Sequence, residues 1–284
     1  MYNNYPFKSN FLNLRGGRLH YIDEGSGPVI IMLHGNPTWS YHYRHLISHF
    51  QQSHRVIALD HMGCGLSDKP PDYPYCLEQH IENLQYLIDQ LKIDKFSLIV
   101  HDWGGAIGFG CAVKYPDRIE KISLMNTAAF RSTRIPWRIR LCRLPIFGEI
   151  IVRLFNGFAA PACFMAVVKK LPAETIKGYL APYDSWFNRI AIARFVEDIP
   201  VDEKHRSYAK LLEIENNLSL LREQKIPLLI LWGGKDFCFT DHFYQEWQRR
   251  FPEAESHYFS DGGHYILEDK IVEIIPILQS FFSK

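Results

Sequence analysis

Residues 96–105 read Phe96-Ser-Leu-Ile-Val-His-Asp-Trp-Gly-Gly105 and indicate the fold most directly. It opens with a largely apolar run, which is typical of a strand covered on both faces. The residues after the run predict a helix over 104–114. A strand that passes directly into a helix through a glycine-rich turn is the context of a nucleophile elbow, which lifts one side chain out of a sheet. Asp102 stands at that turn.

Asp102 occupies the position where an elbow usually carries serine. A carboxylate at a helix N-terminus is electrostatically favoured. It can also attack carbon directly and form an ester intermediate. The alternative is that Asp102 only caps the helix. Capping explains neither Trp103 nor the polar residues that follow later strands, so we interpret Asp102 as a nucleophile.

The rest of the chain repeats the alternation of strands and helices. Apolar runs predict strands over 11–14, 19–22, 29–33, 55–59, 96–100, 121–125 and 228–232, with a weaker one over 256–259. Three-to-four apolar spacing and related patterns predict helices over 76–91, 104–114, 243–250 and 271–282. This order is typical of an α/β fold with a mostly parallel, doubly wound sheet.

One long segment lacks apolar β runs. Between residues 128 and 220, helical patterns are interrupted by six prolines. We therefore predict a core formed by residues 1–127 and 221–284, with a helical cap over 128–220 inserted between two strands. Such an insertion lies over the carboxyl ends of the strands, where open α/β sheets bind ligands. It can act as a lid that excludes water.

A second motif follows the strand predicted over 29–33, in His34-Gly35-Asn36. We expect its loop to face the elbow, so that the backbone N–H groups of Asn36 and Trp103 form an oxyanion hole. The amide of Asn36 and the indole N–H of Trp103 are neutral donors that could hold a departing halide or a developing alkoxide. The alternative for Asn36 is a turn residue before Pro37.

Two later motifs complete a candidate triad. Asp236 follows the strand predicted over 228–232, and His264 ends the loop Ser260-Asp-Gly-Gly-His264. The order nucleophile, acid, histidine is that of α/β-hydrolases. We predict that His264 activates water against the Asp102 ester and that Asp236 orients His264. His34 and His101 are interpreted as structural supports.

Composition excludes several classes of protein. The formal net charge is +1, so the chain lacks the basic excess of nucleic-acid-binding proteins. Its start does not resemble a secretory signal, and no run of about 18 apolar residues predicts a membrane span. The six cysteines are scattered, which favours free thiols in a reducing cytosol. We therefore expect a cytoplasmic protein with no nucleic-acid partner.

No motif for a cofactor is present. The turn Asp60-His-Met-Gly-Cys-Gly-Leu-Ser-Asp68 is rich in glycine, yet it lacks the Lys-Ser/Thr ending and the spacing of nucleotide-binding loops. No cluster has the spacing of metal ligands. We therefore expect chemistry without a cofactor or a metal.

These motifs resemble the haloalkane dehalogenase family of α/β-hydrolases. The resemblance covers nearly the whole chain and implies Asp102 as nucleophile, His264 as base, Asp236 as acid, and Asn36 with Trp103 as the halide-binding pair. One branch of the family carries its acid near Asn126, where this chain has no carboxylate. The chain is therefore similar to the third subfamily, which includes β-lactone decarboxylases of bacterial olefin biosynthesis. Leu180-Ala-Pro-Tyr-Asp-Ser-Trp186 and Asp236-Phe-Cys-Phe239 are similar to those enzymes.

Three activities are open to an enzyme with an aspartate at the elbow, and the resemblance implies the first two. Dehalogenation, our first prediction, converts a haloalkane and water to an alcohol and halide through a covalent alkyl-enzyme ester. The alternative is decarboxylation of a cis-β-lactone. Epoxide hydrolysis, third, usually takes two lid tyrosines as acids, and the predicted cap contains Tyr179, Tyr183 and Tyr208. A receptor or scaffold that keeps only the pocket is a fourth interpretation, against which the intact triad argues.

The segment 131–153 is basic and amphipathic. It carries six arginines and one acidic residue, Glu149, with apolar residues interleaved. Such a segment can lie on a membrane surface or bind an acidic partner. The alternative is a solvated face of the cap. We predict that this segment helps to deliver a lipid-like substrate. The substrate class itself is expected to be a small-molecule or lipid-like compound.

Overall fold

An eight-stranded sheet organises the chain in a computed structural model that describes residues 4–283. The strands are β1 (Asn10–Leu14), β2 (Gly17–Glu24), β3 (Val29–Leu33), β4 (Arg55–Leu59), β5 (Phe96–His101), β6 (Ile119–Met125), β7 (Leu228–Gly233) and β8 (Glu255–Phe259). They lie in the order β1-β2-β4-β3-β5-β6-β7-β8. β2 pairs antiparallel with β1 and β4, and all other pairs are parallel. The predicted mostly parallel sheet is confirmed.

Both faces of the sheet are covered, which explains the continuous apolar runs. Successive side chains of a strand point to opposite faces. In β3, Ile31 and Leu33 belong to one buried apolar cluster, whereas Ile30 and Met32 belong to a second. The core therefore consists of two layers separated by the sheet.

Twelve α-helices are present among residues 4–283, together with a π-helical segment, Ile150–Leu154, and several short 3₁₀ turns. The helices are α1 (Arg44–Phe50), α2 (Leu77–Gln90), α3 (Trp103–Lys114), α4 (Trp137–Cys142), α5 (Phe147–Glu149), α6 (Ala159–Met165), α7 (Ala173–Leu180), α8 (Ile190–Glu197), α9 (Tyr208–Glu223), α10 (Asp241–Arg250), α11 (Ile266–Asp269) and α12 (Ile271–Ser283). The four helices predicted from sequence correspond to α2, α3, α10 and α12.

The chain between β6 and β7 contains helices α4 to α9 and no strand. We call this stretch, residues 126–227, the inserted segment. It contains the predicted cap, whose bounds at 128 and 220 stay a prediction. Residue 220 lies within α9, which continues to Glu223 and packs against α3 of the core. Residues 1–3 and 284 of the predicted core lie outside the described residues. Residues 1–3 are also the first part of the start that we compared with a secretory signal.

The parallel register places the functional motifs at one edge of the sheet. Leu33 pairs with Val100, His101 with Met125, and Met125 with Leu231. The residues that follow these strands therefore meet at their carboxyl ends, beneath the inserted segment.

No single helix within residues 4–283 is long and apolar enough to cross a membrane. One pair, Phe147–Leu154 with Ala159–Met165, reaches that length and composition only together, and it is bent by 75°. All six cysteines are free thiols, as the sequence predicts.

Candidate active site

Asp102 lies at a strained corner between β5 and α3. Its φ of 51° and ψ of −126° are far from the regions that L residues prefer. Neighbouring backbone passes so closely that a Cβ on Gly104 would lie 2.0 Å from the carbonyl oxygen of Leu33, and one on Gly35 would lie 1.9 Å from Oδ1 of Asp102. Glycine is therefore required at both positions, and the corner has the geometry of the predicted elbow.

Two backbone N–H groups hold the Asp102 carboxylate. The N–H of Asn36 donates to Oδ1 over 2.6 Å, and the N–H of Trp103 also donates to this carboxylate. These are the groups predicted as an oxyanion hole, and they bind the side chain of the proposed nucleophile itself. In an ester of Asp102 they would polarise its carbonyl and stabilise negative charge that develops there.

The second carboxylate oxygen of Asp102 faces His264. Oδ2 lies 3.7 Å from Nε2 of His264, which is too long for a direct hydrogen bond. Burial raises the pKa of Asp102, and this rise is opposed by His264 and by the two backbone N–H groups. The carboxylate is thus poorly solvated. A carboxylate with few hydrogen bonds to water is a stronger nucleophile toward carbon.

His264 is oriented by Asp236. Nδ1 of His264 donates to Oδ2 of Asp236 over 2.7 Å. The other oxygen, Oδ1, accepts the N–H groups of Cys238 and Phe239 at 2.6 and 3.0 Å. Burial lowers the pKa of His264, but the nearby Asp236 and Asp102 outweigh it and leave the pKa above its usual 6.5. The structure therefore brings the three predicted triad residues together.

Asn126 stands where one branch of the family carries its acid. Its amide donates to the carbonyl oxygen of Gly233 over 3.0 Å and accepts the N–H of Gly233 over 2.8 Å. Both side-chain groups thus join the end of β6 to the end of β7. Asn126 therefore has a structural role, and the carboxylate that contacts Nδ1 of His264 is that of Asp236.

The side chains of Asn36 and Trp103 both line the cavity above Asp102. Nδ2 of Asn36 donates to the carbonyl oxygen of Ile192 in the inserted segment over 3.1 Å, and its Oδ1 is buried without a partner in the described chain. The indole of Trp103 packs against Phe195 with ring centroids 5.4 Å apart. One amide N–H of the predicted halide pair is therefore used to hold the inserted segment.

The cavity has a volume of about 430 Å³ and lies between the sheet edge and the inserted segment. Asp102 and His264 both line it. Its walls are mainly apolar and include Ala106, Ala128, Phe130, Phe158, Val196, Leu211 and Phe243. Apolar walls with a few polar groups at one point are typical of sites for small or lipid-like ligands.

The tyrosines expected of an epoxide hydrolase do not reach the cavity. The hydroxyl of Tyr179 donates to Glu268 over 2.5 Å, and that of Tyr183 donates to the carbonyl oxygen of Thr38 over 3.2 Å. The hydroxyl of Tyr208 accepts a hydrogen bond from Arg131. The structure thus contradicts the assignment of these tyrosines as substrate-binding acids, because their hydroxyls are used in packing the fold.

Sequence reasoning missed Tyr265, which follows His264 and lines the cavity. Burial raises the pKa of its hydroxyl well above the usual 10. The group therefore remains a neutral donor. Its only signal in the sequence is its position next to the predicted base.

A buried histidine pair beneath the site was also missed. The ring of His42 stacks on that of His101 with centroids 4.7 Å apart. Nδ1 of His42 lies 2.9 Å from the hydroxyl of Tyr179. Burial lowers the pKa of His42 to about 3. His42 therefore stays neutral and acts as a packed hydrogen-bonding group.

The turn over 60–68 is structural. Asp60 is buried and accepts the N–H groups of Ser40 and Leu66 at 2.7 and 2.8 Å. Its other partner is the imidazole of His20, at 2.8 Å. Within residues 4–283, no three histidine, cysteine or acidic side chains are placed to hold a metal ion together.

Comparison with known proteins agrees with this geometry. Residues 28–271 match the family model for the alpha/beta hydrolase fold, so the chain belongs to the α/β-hydrolase family of enzymes. Within it, the chain is 43% identical to the cis-3-alkyl-4-alkyloxetan-2-one decarboxylase of Shewanella oneidensis, over 98% of this chain and 89% of that protein. It is 38% identical to the decarboxylase of the same name from Xanthomonas campestris, over 100% of this chain and 98% of that protein.

Solved structures include the haloalkane dehalogenase of Agrobacterium tumefaciens C58. It is 27% identical, with a TM-score of 0.87 over 97% of this chain and 96% of that chain. The predicted resemblance to the haloalkane dehalogenase family, with its β-lactone decarboxylases, is confirmed.

Proposed function

We propose that this enzyme decarboxylates cis-3-alkyl-4-alkyloxetan-2-ones, which are β-lactones with two alkyl chains. The observation that carries the proposal is the 43% identity over 98% of the chain to a protein named for this activity. Identity to the dehalogenase of solved structure is lower, at 27%. The ranking differs from our prediction from sequence, which placed dehalogenation first.

In the proposed first step, Oδ2 of Asp102 attacks ring carbon C4. A C–O bond forms between Asp102 and C4, and the ring bond from C4 to oxygen breaks. The electron pair of that bond leaves as a carboxylate attached to C3. Relief of ring strain drives this step. The N–H of Asn36 holds Oδ1, which becomes the ester carbonyl oxygen, and the N–H of Trp103 donates to the same carboxylate.

In the second step the new carboxylate leaves as CO2. Its bond to C3 breaks, and the electron pair forms the double bond between C3 and C4 while Asp102 is expelled from C4. Negative charge thereby moves from a carboxylate among apolar walls to Asp102, where two N–H donors stabilise it. Asp102 is restored, and no water or cofactor is consumed.

We further infer that the inserted segment serves as the cap of this cavity. It provides most of the apolar wall opposite Asp102, including Phe158, Val196 and Leu211. Exclusion of water would protect the ester from hydrolysis and leave the carboxylate unsolvated.

The test is product analysis of the purified protein with a cis-β-lactone. Attack with inversion at C4 followed by anti elimination gives a cis-alkene and one CO2. Release of a β-hydroxy acid instead, formed either by hydrolysis at the lactone carbonyl or by hydrolysis of the Asp102 ester, would overturn the proposal of decarboxylation.

Dehalogenation is the second candidate. It is favoured by the pair of Asp236 and His264, because decarboxylation needs no activated water whereas release of an alkyl ester does. Halide release from a long-chain bromoalkane, measured beside the lactone assay, ranks the two activities.

A further inference from the structure

Exposed apolar side chains are concentrated on one part of the inserted segment. Within residues 4–283, eleven of the eighteen large apolar side chains that are exposed lie between residues 137 and 168. They are Trp137, Leu141, Leu144, Ile146, Phe147, Ile150, Leu154, Phe155, Phe164, Met165 and Val168. Single exposed apolar residues are ordinary, but a concentration of this size marks an interaction surface. We call these eleven residues, with the exposed arginines between 134 and 140, the insert face.

The cavity opens through the insert face. Trp137, Leu141 and Met165 line the cavity and are also 64%, 39% and 37% exposed. Side chains that border both the cavity and solvent define its mouth. A ligand bound to the insert face is therefore next to the entrance of the active site.

The insert face is also positively charged. Arg134, Arg138 and Arg140 are exposed, and none forms an ion pair with a residue in the described part of the chain. Glu149, the single acidic residue between 131 and 153, is bound by Arg153 and Arg194. The positive charge at the mouth is therefore not neutralised by the protein.

Of the six arginines in the predicted basic segment, two are used internally. Arg131 pairs with Glu215 over 2.6 Å, and Arg153 is buried beside Glu149. The other four have no ion-pair partner among residues 4–283. Of these four, Arg134, Arg138 and Arg140 are exposed and available to an anion, whereas Arg143 is half-buried.

A tight turn projects the most exposed residue of the face. Ile146 has φ 66° and ψ −57°, and the N–H of Phe147 donates to the carbonyl oxygen of Pro145 over 2.7 Å. This γ-turn is rare and unfavourable for a β-branched residue. The side chain of Ile146 is 78% exposed and that of Phe155 is 72% exposed. Transfer of both from water to an apolar layer would be favourable.

We propose that the insert face docks on an anionic lipid bilayer with the cavity mouth directed at the acyl chains. Arginines interspersed with tryptophan, phenylalanine and leucine match the two contributions to interfacial binding, apolar insertion and attraction to anionic head groups. A substrate with two alkyl chains would then pass from the bilayer into the cavity without crossing water. The identity of that substrate rests on the proposed function, whereas bilayer binding does not.

The test is flotation of the full chain with vesicles. The vesicles contain phosphatidylcholine with roughly a third phosphatidylglycerol, so that the surface is anionic. We expect the protein to float with them, to float poorly with pure phosphatidylcholine, and to be released at about 0.5 M salt, which screens charge. The double variant Arg138→Gln/Arg140→Gln should bind about thirtyfold more weakly.

A second double variant, Ile146→Asp/Phe155→Asp, removes the apolar contacts and should bind at least about tenfold more weakly. The matched control is Val272→Asp on α12, because Val272 is 78% exposed like Ile146 but lies outside the inserted segment. Its binding should equal that of the wild type. Equal losses of vesicle binding in Val272→Asp and in Ile146→Asp/Phe155→Asp would overturn the proposal.

Activity separates this proposal from the proposed function. Neither Ile146 nor Phe155 lines the cavity, so their double variant should keep turnover of a short-chain β-lactone in solution and lose turnover of a long-chain lactone in vesicles. Flotation without turnover of any lactone would contradict the function and leave docking supported. Turnover of the long-chain lactone in vesicles without flotation of the protein would overturn docking. A dimer in solution that Ile146→Asp/Phe155→Asp dissociates would also overturn it, because the insert face would then bind a second copy of the chain.

Discussion

Nε2 of His101 donates a hydrogen bond of 2.8 Å to the backbone carbonyl oxygen of His264. His101 ends β5 immediately before Asp102, so one strand end supports both the proposed nucleophile and its histidine partner. Burial lowers the pKa of His101 well below 6.5, which keeps its ring neutral. The spacing between Asp102 and His264 therefore depends on a residue that itself takes no part in the chemistry.

His101→Phe removes this hydrogen bond and keeps an aromatic ring at this position. We expect kcat for bromoalkane hydrolysis to fall by about 10- to 100-fold, because the base loses its alignment. Lactone turnover should fall less, since it needs no activated water. Steady-state kinetics with both substrates measure the difference; an equal loss for both would indicate a structural role alone.

Asp102→Ala should abolish turnover of both substrates, with a loss of at least about 10⁴-fold. The free energy of unfolding should change by less than about 2 kcal/mol, because a poorly solvated carboxylate is lost together with its hydrogen bonds. Denaturant unfolding and circular dichroism provide the folding control. Residual turnover near the wild-type rate would remove Asp102 as nucleophile.

His264→Ala should separate the two activities. Without an activated water, a bromoalkane should give one equivalent of halide and a stable ester on Asp102, detectable by mass spectrometry. The β-lactone should still turn over, within about 100-fold of the wild type, because its ester decomposes by loss of CO2. Complete loss of lactone turnover would require a proton-transfer role for His264 in decarboxylation.

The two substrates should also differ in pH dependence. Lactone opening needs ionised Asp102, whose pKa is raised above 3.8 chiefly by burial, so kcat/KM falls as the pH drops through that raised value. Ester hydrolysis needs neutral His264, whose pKa lies above 6.5 because Asp236 and Asp102 outweigh burial. The bromoalkane kcat should therefore fall about tenfold per pH unit below that pKa, where the lactone rate stays constant. Identical profiles would contradict separate roles.

Gly35→Ala should disable the site by crowding the carboxylate of Asp102. Its Cβ would lie 1.9 Å from Oδ1 of Asp102, so the carboxylate must move. We expect a loss of about 100-fold or more in kcat for both substrates and a destabilisation of about 2 kcal/mol or more. Gly262→Ala is the control, because its nearest neighbour would be 3.3 Å away. Full activity of the Gly35 variant would show that the carboxylate position is not critical.

The sequence predicted the sheet well because its strands are bounded by polar or glycine-rich residues. The strands over 29–33 and 55–59 agree residue for residue with β3 and β4. The strand over 96–100 extends one residue further, to His101, and α3 begins at Trp103. Asp102 is therefore the only residue between strand and helix, which accounts for its unusual backbone angles.

Contacts between segments distant in the sequence could not be predicted from the motifs. The bond from Asn36 to Ile192 joins residues 156 positions apart. It depends on how the inserted segment packs over the sheet, and no spacing rule fixes that packing. The stack of His42 on His101 was missed for the same reason, since neither residue has a distinctive local pattern.

The hydrogen bond between Asn36 and Ile192 connects the position of the inserted segment, which shields the cavity from water, with the residue that holds the Asp102 carboxylate. The same residue holds Oδ1 of Asp102 through its backbone N–H and the inserted segment through its amide. If that segment lifts to admit a large substrate, the amide loses its acceptor just as bulk solvent enters. In the open enzyme the carboxylate of Asp102 is hydrated and therefore less reactive. It becomes reactive only after the inserted segment has closed over the substrate.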